Sequence, residues 1–174
     1  MQMKIYLQFG LILLMVISFC SCNKATPAGF WVNFKPSLLT KSIGDQGPYG
    51  GHRAIDWKTR TENTFTASEI LQYATLNGWQ LVDSMECLPN DVKDWFYLSE
   101  PIFPLSSSGF SSKPPANASF RYFPRWLVAD FKIYGFKTGW VAIEPGSGKL
   151  LEENGFVLLN KIGTEMSVYH LWGE

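Results

Sequence analysis

Thr66-Ala-Ser-Glu-Ile-Leu-Gln-Tyr-Ala-Thr-Leu-Asn-Gly-Trp-Gln-Leu-Val-Asp-Ser-Met-Glu-Cys87 decides the fold. Thr66 and Glu69 form a capping box, in which the hydroxyl accepts from an early helix N–H and the carboxylate reaches back. Ile70, Tyr73, Ala74 and Asn77 then fall on one helical face, with Leu71 beside it. Asn77-Gly78 supplies a left-handed stop. From Trp79 the period drops to two: Trp79, Leu81, Asp83 and Met85 alternate with Gln80, Val82, Ser84 and Glu86. A helix over residues 67–77 feeds directly into a strand.

Outward from this unit the chain reads mostly as strands and turns. Phe30 to Phe34, His52 to Lys58, Trp126 to Phe136 and Gly139 to Ile143 are strand candidates. Residues 35–51 are rich in turn formers and read as loop, ending Gly47-Pro-Tyr-Gly-Gly51. Lys149 to Glu153 reads as a helical turn stopped by Asn154-Gly155. Phe156 to Ile162 and Met166 to Trp172 form a closing hairpin across Gly163-Thr-Glu165. Residues 101–124 hold five prolines, many serines and four phenylalanines. Loops this long are uncommon unless functional or disordered. The expected fold class is α+β: a mainly antiparallel sheet, one clear helix and this long Pro/Ser-rich loop. One weak echo recurs. Asn77-Gly-Trp-Gln-Leu-Val82 resembles Asn154-Gly-Phe-Val-Leu-Leu159. It raises either an αββ duplication (64–100 and 147–174) or ordinary turn grammar used twice.

The first 22 residues carry an address. Lys4 precedes an apolar run, Ile5 to Phe19, and the run ends Phe19-Cys20-Ser21-Cys22. A positive start, an apolar stretch and a small residue before the cut make a secretory signal. At about 15 residues the stretch is short of the roughly 20 that span a bilayer, so a transmembrane helix is the weaker reading. The ending resembles the lipobox of bacterial lipoproteins, in which a small residue precedes an acylated cysteine. Ser21 precedes Cys22, whereas bulky Phe19 precedes Cys20, so Cys22 is the lipidation candidate. Phe19 stands where that family usually has Leu. The Phe- and Ser-rich leader looks like lipoproteins of Bacteroidota. This resemblance covers only the leader and implies a signal peptide over 1–21 and attachment to the inner or outer membrane of the cell envelope through the lipid; the remaining length reads as a tether over 22–29 and one domain over 30–174. Leu76-Asn-Gly-Trp-Gln-Leu-Val82 also resembles small bacterial domains of unknown function, in which a helix runs into a Gly-Trp-Glu-Leu-Val strand. That likeness implies a layout and no activity.

Composition narrows the partners. The chain has 15 Lys and Arg against 15 Asp and Glu. Nucleic acid is not expected as a partner, because phosphate binding needs a basic surface. With Cys22 acylated and Cys20 removed, Cys87 is a lone thiol, and an internal disulfide is excluded. One cysteine with two histidines, His52 and His170, does not make a structural zinc site. Gly146-Ser-Gly-Lys149 lacks the spacing of a phosphate loop, since position 143 is Ile and position 150 is Leu. No cofactor motif is present.

Three constellations remain. Cys87 with His52 or His170 has the residue types of a thiol nucleophile and base, but neither histidine sits in a motif. Glu86, Asp91, Asp94 and Glu100 are carboxylates of the kind that hydrolyse glycans, and solvated turns explain them equally. Arg121-Tyr-Phe-Pro-Arg125-Trp126 mixes cations and aromatics, so Arg121, Tyr122, Arg125 and Trp126 are the ligand-binding candidates. Asp83-Ser-Met85 and Asn117-Ala-Ser119 match glycosylation patterns. The expected function is a non-catalytic, lipid-anchored binding module that meets an envelope protein or a glycan. An envelope glycan hydrolase and an assembly lipoprotein are the rivals.

Overall fold

A computed structural model of the chain describes residues 27–87, 96–97, 100–101, 130–143 and 150–173. The capping box does what its spacing predicts. The Thr66 hydroxyl accepts from the Glu69 N–H at 3.4 Å and donates to the Glu69 carboxylate at 3.0 Å. Helix α1 (Ala67–Leu76) follows. Gly78 ends it at φ +87° and hands the chain to strand β3 (Gln80–Cys87).

Strands β1 (Leu39–Gln46), β2 (Gly50–Lys58), β6 (Phe131–Ile143), β7 (Leu150–Asn160) and β8 (Glu165–Gly173) complete a six-stranded sheet. Its order is β1-β2-β8-β7-β6-β3, antiparallel between neighbours. The short strands β4 (Phe96–Tyr97) and β5 (Glu100–Pro101) pair separately. The molecule is an α+β fold with a mainly antiparallel sheet and, among the described residues, one α-helix.

One sheet face carries the aromatic core. Ile55, Trp57, Val157, Met166 and Val168 point into it, and α1 covers it with Ile70 and Ala74. The N-terminal segment fills the remaining space with Trp31 and Phe34. Trp31 stacks edge-on against both Trp57 and Trp79. Two hydrogen bonds stitch this segment down: the Trp57 ring N–H donates to the Phe34 carbonyl at 2.7 Å, and the Tyr73 hydroxyl donates to the Phe30 carbonyl at 2.9 Å. Polar tips of buried aromatics need such partners, and their apolar bodies supply most of the burial. The other face is apolar too, with Ile133, Phe156 and Leu158 buried.

Four expectations change. Phe30 to Phe34 is not a strand: residues 30–33 lie in a 3-10 turn, Gly29–Asn33, that Phe34 closes, and the tight turn brings both Trp31 and Phe34 onto α1. Residues 39–46 are strand rather than loop. Ala28 and Gly29, placed by sequence in the tether, are buried in the body. Leu150 to Glu153 is strand, not a helical turn, because pairing with β6 overrides the local propensity. The αββ duplication falls with it: Asn77-Gly78 ends a helix, while Asn154-Gly155 lies inside β7.

Three bulges shape one rim of the sheet. Val82 is an extra residue in β3 between the Leu81–Phe136 and Asp83–Gly135 pairs. Asn154 is an extra residue in β7 between Glu153 and Gly155. In β6, residues 138–141 stand against the single residue Glu152.

Candidate functional site

The long bulge in β6 is held from beneath by three buried polar side chains from three strands. The Asn154 amide nitrogen donates to the Trp140 carbonyl at 2.8 Å, so the amide oxygen faces Thr138. The single Thr138 hydroxyl proton therefore goes to Asn154 Oδ1, at 2.7 Å. The same hydroxyl oxygen accepts from the Trp140 N–H at 3.3 Å. His170 Nε2, at 3.0 Å, is left as the other donor to it. His170 thus carries a proton on Nε2. Burial, aided by the Arg53 guanidinium across the strand pair, pushes its pKa down to about 3. This network is sealed: Asn154 and His170 are fully buried. Its outward product is a knuckle that displays Trp140 and Val141, each about half exposed.

The opposite rim carries charge. A cavity of about 250 Å³ opens there, lined by Glu86, Asp130, Lys132, Tyr134 and Lys161 over Cys87 and Leu159. Two acids and two bases face one small space, and Glu86, Asp130 and Lys161 form no ion pair among the described residues. Lys132 Nζ sits 5.6 Å from the Tyr134 ring centre. The Tyr134 hydroxyl is pushed up by burial and by the Glu86 carboxylate. Asp130 reaches its place through a left-handed backbone at φ 56°.

A third feature lies over Gly135. A Cβ there would meet Glu153 Oε1 at 1.8 Å, so the missing side chain is what makes room for the Glu153 carboxylate. Burial first, and Asp83 second, raise the pKa of Glu153.

The sequence candidates fare differently. Cys87 lies at the charged rim on the outermost strand, whereas His170 lies three strands away and His52 pairs with Leu171 beyond it. The structure does not bring the thiol to either imidazole. Glu86 reaches the charged cavity. The side chain of Glu100, with Asp91, Asp94, Asn117, Cys22, Arg121, Tyr122, Arg125 and Trp126, lies outside the described residues. No group of three or more metal-ligating side chains occurs among the described residues. Sequence reading missed the Thr138–Asn154–His170 network, the Lys132 and Lys161 pair and the Glu153 seat. Gly135, a glycine inside an apolar strand, is the one local signal that could have pointed to any of them, the Glu153 seat. No known family matches the chain, and no curated protein or solved structure shows similarity to it.

Proposed function

We propose that the protein is a lipid-anchored lipoprotein of the cell envelope, acylated at Cys22, that binds a ligand or partner without chemically changing it. One observation carries the binding part of this reading: the 250 Å³ cavity that gathers Glu86, Asp130, Lys132 and Lys161 around one opening. Its balanced charges suit a small group bearing both signs, such as the end of a peptide or an amino sugar of a glycan. Opposite charges set a few ångströms apart fix the orientation of such a ligand.

The test is thermal unfolding of the full acylated protein with millimolar amino acids, short peptides and amino sugars as probes. A bound probe raises the midpoint by mass action. The rise is expected to vanish in the Lys132→Ala, Lys161→Ala double variant. No rise with any probe sinks the cavity as the binding site, and an unmodified residue 22 in the intact mass sinks the anchor.

A second reading has its own support. Glu153, held with a raised pKa beside Asp83, has the character of a general acid in glycan hydrolysis. Under this reading Glu153→Gln abolishes release of sugars from an envelope glycan, and Lys132→Ala does not.

A further inference from the structure

The two rims of the sheet differ in kind. Among the described residues, eight large hydrophobic side chains stand exposed. Seven of them gather at one rim. Leu81 and Val82 open β3, Trp140 and Val141 sit on the β6 knuckle, and Leu150 opens β7. Leu76 ends α1 just before β3, and Tyr49 precedes β2, whose Gly50 pairs with Gly173. Ala142 pairs with both Gly173 and Leu151, which closes this rim into one edge of the molecule. The eighth, Ile162, is in the turn at the opposite rim, next to Lys161, which lines the charged cavity. So many exposed apolar side chains at one rim, interspersed with Lys137, Glu152 and Glu153, mark a candidate interaction surface.

The chain enters the body at the same rim. Helix α1 starts at the charged rim, where the Phe65 N–H donates to the Gly163 carbonyl. It ends at the apolar one. The N-terminal segment runs the other way along it. Phe30 packs on Trp79 and Tyr73 near the end of α1, while Lys35 pairs with Glu69 at its start. Trp79 in turn packs on His170, whose imidazole holds the Thr138 hydroxyl under the knuckle. Only residues 23–26 separate Cys22 from Pro27. That much chain spans at most about 18 Å fully extended. A body on so short a leash lies against whatever surface holds residue 22, and it does so near the rim where the leash begins.

We propose that this rim, from Leu76 and Leu81 across to Trp140, Val141 and Leu150, rests in the interfacial layer of the bilayer that holds the acyl chains at Cys22. The assignment rests on the lipid-anchor reading above. Tryptophan suits that layer, where one end of its ring is apolar and the other wet. Among the described residues of the rim, Lys137 is paired with Glu152, and Asp83 and Glu153 are acidic, so no basic patch there calls for anionic lipid and zwitterionic bilayers are the first test. Seated this way, the molecule turns its charged cavity away from the membrane.

The experiment uses the full acylated protein in phosphatidylcholine vesicles, with and without brominated acyl chains, and follows tryptophan emission. Wild-type protein is expected to be quenched by brominated lipid. At least half of that quenching should disappear in Trp140→Phe, with an unchanged circular dichroism spectrum. Equal quenching in the two, or none in an acylated wild type, overturns the rim assignment and leaves the anchor standing. An intact mass without acylation at residue 22 overturns the anchor, and the rim assignment with it. A photoreactive side chain at Val141 should cross-link to lipid in the native envelope. A protein or glycan adduct there would mean that the rim faces a partner instead of the bilayer.

Discussion

His170 donates its Nε2 proton to the Thr138 hydroxyl across 3.0 Å, and that direction is forced by Asn154, which already takes the only proton Thr138 owns. That places a proton on Nε2, and burial together with the Arg53 guanidinium keeps the ring neutral.

A pH signature follows. In the folded state the pKa of His170 is about 3, against 6.5 as its ordinary value. Between those values the unfolded chain binds a proton that the folded chain refuses. This contribution is intact above pH 6.5 and is lost as pH falls toward 3, with a slope of up to about 1.4 kcal/mol per pH unit. Urea unfolding at pH 7 and pH 4.5 measures it. The His170→Gln variant, less stable at pH 7, should show a shallower pH dependence; equal slopes would refute the buried neutral histidine.

Thr138→Val keeps the shape and deletes the hydroxyl. Asn154 Oδ1 and His170 Nε2 then lose a partner in a buried site, at a cost of about 2–4 kcal/mol. The same change unlatches the Trp140 N–H, so hydrogen exchange at residues 139–141 should quicken well before global unfolding. Unchanged exchange would separate the knuckle from the network beneath it.

Two glycines should answer alanine differently. At Gly155 a Cβ would meet Thr138 Cγ2 at 2.5 Å and the Trp79 ring at 2.8 Å, both fixed by core packing. Overpacking there costs about 1–3 kcal/mol. At Gly135 the obstacle is the flexible Glu153 side chain, which swings away, so Gly135→Ala should cost less than about 1 kcal/mol. Chemical denaturation of both variants checks the order.

Trp57→Phe removes the ring N–H that holds the Phe34 carbonyl and leaves space in the aromatic core. A loss of about 1–3 kcal/mol is expected from the orphaned carbonyl and the smaller ring together. A loss near zero would mean that residues 27–38 add little to the body.

What could be read from sequence was local. Thr66, Glu69 and Asn77-Gly78 define a helix within thirteen residues, and α1 runs between them. A strand after Gly78 and the closing hairpin were equally legible, although the extra residue Val82 breaks the alternation expected in β3. Leu150-Leu-Glu-Glu153 misled because its propensity is helical while its fate is set by β6. Lys137 and Thr138 fell between two expected strands, one ending at Phe136 and one starting at Gly139. The structure carries one strand through them by bulging. The network had no local signature at all, since Thr138, Asn154 and His170 come from β6, β7 and β8 and meet only when the register is fixed. The contrast between rims is likewise a property of topology: no window of sequence holds Leu76, Trp140 and Leu150 together.

The extra residue at Val82 has an effect beyond its own strand. β3 is an outer strand, and a flat outer strand offers its free backbone groups to any neighbour of the same kind. Val82 breaks that row near its beginning and turns the strand there. Wherever many copies crowd in two dimensions, this kink denies them a straight seam along which to zip into a continuous ribbon.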